Sequence, residues 1–359
     1  MKSIFSLLII VLSINFNHAQ SFDDFQITEL VKSTPLKNQM SSGTCWSFTT
    51  FSFIETEALR LGMDTVIISP IYYVTPTYLG KAKNFIEKKG NSFFNGGDLT
   101  FSALDAYAKY GAVPESVYNG IIDGDWQHDH LEIDDLLRRM AISIGKSGYG
   151  RIKPNSWKKS IEGVLDAYIG SAPDTFTYEG EKYTPQTFAQ KKIGINRADY
   201  LEITSFSHLP FYKMTPLNIP ANWNNNDYLN LPPNDFEKVI DNAIQSGYSI
   251  AWDGDADEAR FDYSKGLMLL TQEEEDNAVT QELRQTHFVK GTTTDDHNMH
   301  IIGMAKNKAG KDFYLMKNSE GENDMGGYVF MSKKALLLKT ISVLMHKDGL
   351  TQEVKNALD

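Results

Sequence analysis

The chain of 359 residues contains one cysteine, Cys45, in the stretch KNQMSSGTCWSF. A single cysteine cannot form an intramolecular disulfide, so the fold has to rely on a packed core. Hydrophobic residues make up 41% of the chain and aromatic residues 12%, which is enough for a substantial core. A lone cysteine is by itself most often a small buried side chain. Its sequence neighbours therefore decide whether Cys45 carries chemistry.

The residues that follow Cys45 have the spacing of a helix. Apolar residues recur at steps of three and four and predict an amphipathic helix that ends at Gly62, with an apolar face made of Phe48, Phe51, Ile54, Ala58 and Leu61. Cys45 therefore lies at a helix N-terminus, where the helix dipole and free N–H groups favour a thiolate. Gln39, on the preceding Gly/Ser-rich loop, can direct its amide toward the sulfur and form an oxyanion hole with the Cys45 N–H. Taken alone, Gln39 is equally typical of a solvated loop.

A thiolate nucleophile needs a general base and a group that orients the base. Strand patterns at about 299–305 and 313–316, joined by a glycine-containing turn, predict a hairpin. The hairpin carries His297 at one end and Asn318 at the other, and an asparagine carbonyl that accepts the imidazole N–H would fix the tautomer. His300 is the alternative base. Because side chains alternate along a strand, we expect His300 on the opposite, outer face.

These motifs resemble those of papain-fold cysteine peptidases, and most closely those of the bleomycin hydrolase/aminopeptidase C branch. SGTCW, residues 42–46, matches the papain signature Cys-Gly-(Ser/Ala)-Cys-(Trp/Tyr), with Ser42 in place of the first cysteine. The segments 95–118, 297–304 and 317–319 follow in the order of that branch. The branch has a His-Ala-Met pattern with a glycine six residues after the histidine, and His297 satisfies this spacing with asparagine in place of the alanine.

The resemblance implies a Cys-His-Asn triad that hydrolyses peptide bonds without a cofactor. It also implies that the backbone of a glycine pair binds an extended peptide, because glycine allows close approach of another backbone; alone, such a pair predicts only a turn. The implied roles are nucleophile for Cys45, general base and acid for His297, orienting amide for Asn318, oxyanion donor for Gln39, and substrate binding for Gly96 and Gly97.

The resemblance further implies an α+β, papain-like fold with a helical half and a β-barrel-like half. Papain-like enzymes place the histidine about 130–150 residues after the cysteine, whereas here about 250 residues separate the two, so we expect a helical insertion. HLEIDDLLRRMAISIGK and NSWKKSIEGVLDAYIG have helical spacing within it. The expected parts are a signal peptide at 1–19, a helical half with the nucleophile at 20–124, the insertion at 125–200, and a β-rich half with His297 and Asn318 at 201–359.

The N-terminus predicts export. Lys2 precedes an apolar run that is too short to span a bilayer, and Ala19 follows as the expected cleavage position. The alternative is a buried first strand. We expect a periplasmic or extracellular protein with no membrane span after removal of the signal peptide. The net charge of −11 excludes a basic nucleic-acid surface. No ligand spacing indicates a metal, and no phosphate-binding loop is present, so peptide substrates are the expected partners, with oligomeric state open.

Two departures from the family pattern bear on activity. The family usually has a tryptophan after Asn-Ser that covers the Asn–His hydrogen bond, and here the residue is Glu320. We expect this change to expose the pair and to place a charge near it, which makes a catalytically weak, peptide-binding protein the alternative function. The branch also has a C-terminal arm that restricts the enzyme to N-terminal residues, and nothing here resembles it. We therefore expect cleavage of N-terminally blocked peptides, unless the insertion closes the cleft instead.

Overall fold

The structure is a computed structural model that describes residues 24–122, 127–147, 153–258 and 260–358. The signal peptide predicted at residues 1–19 lies outside these ranges. The helices described are α1 (Cys45–Arg60), α2 (Val74–Glu87), α3 (Thr100–Tyr110), α4 (Leu131–Ser147), α5 (Pro154–Ile169), α6 (Pro185–Phe188), α7 (Pro233–Gln245), α8 (Gln272–Asp276), α9 (Gln281–Lys290), α10 (Lys333–Lys339) and α11 (Gln352–Leu358). A π-helix spans Ala189–Ile193.

Most of the strands belong to one large mixed sheet. The strands described are β1 (Phe25–Leu30), β2 (Phe176–Tyr178), β3 (Glu181–Tyr183), β4 (Tyr200–Thr204), β5 (Lys213–Pro216), β6 (Asp227–Asn230), β7 (Ile250–Gly254), β8 (Phe261–Asp262), β9 (Leu267–Met268), β10 (His297–Asn307), β11 (Asp312–Lys317), β12 (Tyr328–Ser332) and β13 (Thr340–His346). The order in the large sheet is β5-β6-β4-β13-β7-β10-β11-β12-β9-β8, and β1 pairs with β10. The predicted hairpin is confirmed as β10–β11.

Helices cover both faces of the centre of this sheet. On one face, α7 packs Phe236, Val239 and Ile240 into a core shared with Trp252 of β7 and Ile301 of β10. On the other face, α1 and α3 form a second core that includes side chains of β7 and β13. A third core joins α2 to α4 and α5. The middle strands therefore have no open face, which decides the environment of every side chain on β10.

The helix predicted after Cys45 is α1, but it is buried on nearly all sides rather than amphipathic. Its side chains are buried from Cys45 through Ala58, and full burial of a residue such as Phe51 contributes about 1.5–3 kcal/mol. Leu61, expected on the apolar face, lies just after the helix and is 47% exposed. The helix therefore forms the centre of one core instead of its edge.

Two buried glutamates on α1 are compensated by partners from elsewhere in the chain. Glu55 accepts hydrogen bonds from Lys37 Nζ at 2.6 Å and from the Ile68 backbone N–H at 2.7 Å. Glu57 forms a salt bridge with Arg60 at 2.8 Å. A buried charge is costly unless it is paired in this way, so these contacts explain how polar positions of α1 can face the interior.

The segment predicted as a helical insertion contains α4, α5 and a hairpin. α4 and α5 coincide with the two predicted helical segments. The chain then forms the hairpin β2–β3 instead of continuing as helix. Glu179 and Gly180 both have positive φ, 49° and 83°, as in the two-residue turns that suit hairpins. Phe176 and Tyr183 of this hairpin pack against Phe188, with ring centroids 5.4 and 5.5 Å apart.

Gly111 fixes the end of α3 against the segment that follows this hairpin, and this placement can be tested. Gly111 has φ 77° and ψ −152°, a conformation that essentially only glycine adopts. A Cβ atom there would lie 2.3 Å from the carbonyl carbon of Pro185. We expect Gly111→Ala to lower the free energy of unfolding by about 2–4 kcal/mol, measured by urea unfolding with far-UV circular dichroism.

Gly163→Ala is the matched control for this substitution. Gly163 lies within α5, and no heavy atom is within 4 Å of a Cβ added there. Alanine in a helix interior is favoured over glycine by about 0.5–1 kcal/mol, so this variant should be more stable than the wild type. An unchanged unfolding midpoint for Gly111→Ala would contradict the close packing of Pro185 on the end of α3.

Candidate active site

Cys45 is the first residue of α1, as the sequence predicts. The Thr44 carbonyl accepts hydrogen bonds from the N–H groups of Ser47 and Phe48, at 2.9 and 3.1 Å, and so begins the helix. The N–H groups of the first turn point away from the helix and have no intrahelical acceptor. Cys45 as a whole residue is 9% exposed. Its sulfur therefore belongs to a buried residue located at the positive end of a helix dipole.

His297 and Asn318 meet because one begins β10 and the other follows β11. His297 Nε2 donates a hydrogen bond to Asn318 Oδ1 at 2.8 Å, and the same oxygen accepts the backbone N–H of Ser319 at 2.8 Å. Each of the two paired side chains is 5% exposed. The expectation that Glu320 leaves this pair exposed is therefore wrong, because the surrounding chain buries it without a tryptophan.

The other side of the imidazole faces Cys45 and Glu320. His297 Nδ1 lies 3.7 Å from Glu320 Oε1. Burial alone would lower the pKa of His297, but the nearby Cys45, together with Glu320 and Asn318, raises the pKa to about 9. The imidazolium is thus favoured at neutral pH, as an ion pair with a thiolate requires.

Gln39 is held against the loop that carries Asn318. The Gln39 backbone N–H donates to the Ser319 carbonyl at 2.7 Å, and Ser319 Oγ donates to Gln39 Oε1 at 2.7 Å. These contacts use the acceptor of the side-chain amide and leave its Nε2 donor for another acceptor. Gln39 is buried, so the alternative of a solvated loop residue is wrong. Sequence reasoning did not single out Ser319, which links Gln39 to Asn318.

Gly96 and Gly97 differ in their surroundings. The Gly96 carbonyl accepts a hydrogen bond from Trp46 Nε1 at 3.0 Å, and a Cβ atom on this buried glycine would lie 2.5 Å from an Asp134 oxygen. Gly97 is half-buried, and its carbonyl accepts a hydrogen bond from Lys81. Gly96 is committed to internal contacts, which leaves Gly97 as the member of the pair with backbone near the surface.

Residues 128–134, in the segment predicted as an insertion, contact the loop that precedes Cys45. The Ser41 backbone N–H donates to the His128 carbonyl at 3.1 Å, and the His130 N–H donates to the Ser41 carbonyl at 2.9 Å. Asp134 extends this contact to Gly96 and accepts a hydrogen bond from Tyr78. Sequence spacing indicated an insertion, but it carried no signal for where the insertion packs.

His300 is buried rather than on an outer face, which corrects the expectation. It is 0% exposed, its Nδ1 is 2.9 Å from Ser52 Oγ, and its ring packs edge-on against Phe53. Burial, and then the nearby charge of Lys317, hold its pKa well below the ordinary value, so the ring is neutral. Ser52 lies two helical turns from Cys45, so His300 has a packing position and not the position of the base.

Within residues 24–122, 127–147, 153–258 and 260–358, no cluster of three or more histidine, cysteine or acidic side chains is suited to a metal ion. None of the helices in those ranges is both long and apolar enough to cross a bilayer. The acidic run at Gln272–Asp276 forms the short helix α8.

The fold and this arrangement of thiol, imidazole and amide define a papain-fold cysteine peptidase. The chain belongs to the Peptidase C1-like family, whose model matches residues 95–359. The match includes His297 and Asn318 and begins after Cys45. The family and fold class predicted from the sequence are thereby confirmed.

A solved structure shares this fold. PepW from Lactobacillus rhamnosis superposes with a TM-score of 0.70 at 19% sequence identity, over 93% of this chain and 84% of PepW. Digestive procathepsin L 3 of Tenebrio molitor larval midgut gives a TM-score of 0.41 at 15% identity, over 88% of this chain and 66% of that protein. A comparison with curated proteins found no match.

The contact between Glu320 and His297 leads to a prediction about the titration of the imidazole. Removing the Glu320 charge disfavours the imidazolium, so Glu320→Gln should lower the pKa of His297. At 3.7 Å and with Glu320 half-exposed, we expect the titration midpoint to fall by about half a pH unit. Nuclear magnetic resonance of the labelled imidazole measures this midpoint. Glu322→Gln, an exposed charge two residues away, is the control, and an equal change in both variants would contradict a specific contact.

Proposed function

We propose that the chain hydrolyses peptide bonds through a catalytic triad of Cys45, His297 and Asn318. One observation carries the proposal: His297 donates a hydrogen bond to Asn318 Oδ1 at 2.8 Å while its imidazole lies close enough to Cys45 for the thiol to raise its pKa. The first contact holds the ring in one orientation, and the second provides proton transfer between sulfur and imidazole. Membership of a peptidase family supports the same activity.

The proposed reaction has two steps. The Cys45 thiolate attacks the peptide carbonyl carbon, and the C–N bond breaks as the imidazolium of His297 gives its proton to the leaving amine. The resulting thioester is hydrolysed by a water molecule that gives a proton back to His297, which releases the acid and restores the thiolate. In both steps the oxyanion would accept hydrogen bonds from the Cys45 N–H and from Gln39 Nε2. Gly97 supplies backbone for an extended substrate.

Substitution of the two reacting residues tests this proposal. Cys45→Ala should abolish hydrolysis and labelling by an epoxide-type inhibitor of thiol proteases, because the nucleophile is lost. His297→Ala should lower kcat by about 100-fold or more, because both the thiolate and protonation of the leaving group depend on it. Steady-state kinetics on a fluorogenic peptide, with circular dichroism to check the fold, measure both effects.

His208→Ala is the control for loss of a histidine, since His208 is exposed and bonded to Gln285. It should retain wild-type kinetics. His300→Ala is unsuitable as a control because that ring is buried against α1. Wild-type turnover in purified Cys45→Ala would rule out the thiol mechanism.

The alternative function is that of a peptide-binding protein with weak or no catalysis. Glu320 favours it, because its carboxylate competes with Cys45 for the positive charge of His297. A binding protein of this kind would bind peptides without reacting with the epoxide at Cys45. Labelling at wild-type Cys45 therefore separates the two functions.

The position of the insertion favours an aminopeptidase, as in the bleomycin hydrolase/aminopeptidase C branch, over an endopeptidase. The contacts of Ser41 with residues 128–130 and of Asp134 with Gly96 put the insertion on the rim of the site. A segment there shortens the cleft and limits how far a substrate extends past the scissile bond. The sequence predicts cleavage of N-terminally blocked peptides unless the insertion closes the cleft. With the segment in this position, we propose that blocked peptides are not cleaved.

A digest of one long peptide with and without N-acetylation tests this assignment. Mass spectrometry follows the digest. We expect stepwise loss of single N-terminal residues from the free peptide and no such loss from the acetylated peptide. The control enzyme is Cys45→Ala, which should leave both peptides intact. Internal fragments from the acetylated peptide would instead assign the protein to the endopeptidases.

Export remains part of the proposal and rests on residues 1–19 of the sequence. The charged start, the apolar run and the small residue at position 19 occur in the order of a signal peptide. N-terminal sequencing of the protein recovered from its native source tests cleavage after Ala19. An intact N-terminus on a protein recovered from inside the cell would contradict export to the periplasm or the medium.

A further inference from the structure

Polar side chains cross three neighbouring strands beside His297. Ser342 of β13 pairs with Asp253 of β7, and Asp253 pairs with Asn298 of β10, the residue next to His297. Because side chains alternate along β10, Asn298 points to the same face as His300, which contacts α1. The polar groups therefore lie between the sheet and the helix that carries the nucleophile.

Three atoms in this row have no hydrogen-bond partner among the residues described, namely Asp253 Oδ2, Asn298 Oδ1 and the hydroxyl oxygen of Ser342. Asn298 Nδ2 donates to Asp253 Oδ1 at 2.8 Å, which fixes the orientation of the amide. Asp253 and Asn298 are 0% and 2% exposed. A buried polar atom without a partner is costly. Asn298 Oδ1 can only accept, and so can Asp253 Oδ2 when the carboxyl is ionised, so a group that completes the ionised pair is a donor.

A neighbouring aspartate shows what these carboxylates lack. Asp98, also buried, is neutralised by Lys81 at 3.0 Å and accepts a hydrogen bond from Trp223 Nε1 at 3.1 Å. Neither Asp253 nor Asp295 forms a salt bridge within the parts of the chain described. Asp98 is thus a completed ion pair of the fold, whereas Asp253 and Asp295 have no cationic partner among the residues described.

Charge and position connect this pair to the reacting atoms. Burial raises the pKa of Asp253 well above its ordinary value, and the charges of Asp295, Glu202 and Cys45 raise it further. Burial likewise raises the pKa of Asp295 to about 6. Asp295 lies two residues before His297 and is only half-buried, so it offers a route to the pair from outside. A cation bound here would stabilise both carboxylates.

We propose that Asp253, Asp295 and Asn298 bind a protonated amine of the peptide substrate next to Cys45. The inference rests on the proposed peptidase function and names its substrate class. An ammonium brings one positive charge and three donors, which match the carboxylates and the free acceptors. The amine is either the N-terminal ammonium or a lysine side chain, since the chemistry of the two is the same.

Matched peptides and isosteric variants test the amine site. The peptides carry a free or an acetylated N-terminus, each with lysine or norleucine within the first two residues. We expect wild type to prefer peptides with an amine by about 10- to 100-fold in kcat/KM, and Asp253→Asn to lose most of that preference. Asp295→Asn, at a half-buried position, should lose part of it and serves if Asp253→Asn does not fold. Asp276→Asn, on exposed α8, is the control and should keep the preference.

The two peptide series identify which amine is bound. Sensitivity to acetylation alone indicates the N-terminal ammonium, and sensitivity to norleucine alone indicates a lysine side chain. Equal kcat/KM for all peptides, or a preference that survives in both aspartate variants, overturns the amine site while leaving the peptidase function intact.

Calorimetry separates this inference from the proposed function. If no cleavage depends on Cys45, the peptidase proposal fails. Calorimetry of peptide binding to Cys45→Ala then tests the amine site without any cleavage. Tighter binding of the charged peptides, lost in Cys45→Ala/Asp253→Asn, supports the amine site. Equal affinity for charged and neutral peptides overturns it.

Discussion

The packing of α1 against β7 and β10 is the constraint on which the rest of the site depends. This contact buries the helix on nearly all sides and brings its first residue, Cys45, to the first residue of β10, His297. A loop alone would not fix the position of either side chain, because a loop is not packed into a core. A helix and a strand fixed by a shared core hold the sulfur and imidazole in register, which is what a proton transfer between them needs.

A second set of contacts joins the groups that support this pair. Ser319 donates its N–H to Asn318 Oδ1 and its hydroxyl to Gln39 Oε1. The amide that orients the base and the amide proposed to bind the oxyanion are thus set by one serine. The hydrogen bond from His297 to Asn318 involves a charged donor when the ring is protonated, and such bonds contribute about 1.5–3 kcal/mol. The hydrogen bond between His297 and Asn318 is therefore strong even though no tryptophan covers it.

Local sequence patterns predicted the parts of the fold that depend on neighbours in the chain. The helix after Cys45, the β10–β11 hairpin and the paired helices α4 and α5 all follow from periodicity and turn residues. The environment of His300 did not follow, because alternation identifies two faces of a strand and cannot tell which one is open. The burial of Glu55 and the pairing of Asp253 with Asn298 depend on segments distant in sequence. Such contacts are set by topology, and motifs do not encode them.

The negative charges around the site affect the two members of the ion pair in opposite ways. Glu320 stabilises the imidazolium of His297, whereas Asp253 and the Cys45 sulfur repel each other when both are charged. The neighbours of His297 therefore favour the protonated imidazole. In the proposed complex, an ammonium beside Asp253 would remove that repulsion at the moment the substrate binds. The substrate itself would then complete the electrostatics of the nucleophile, and a neutral peptide would meet a less reactive sulfur as well as an unpaired carboxylate.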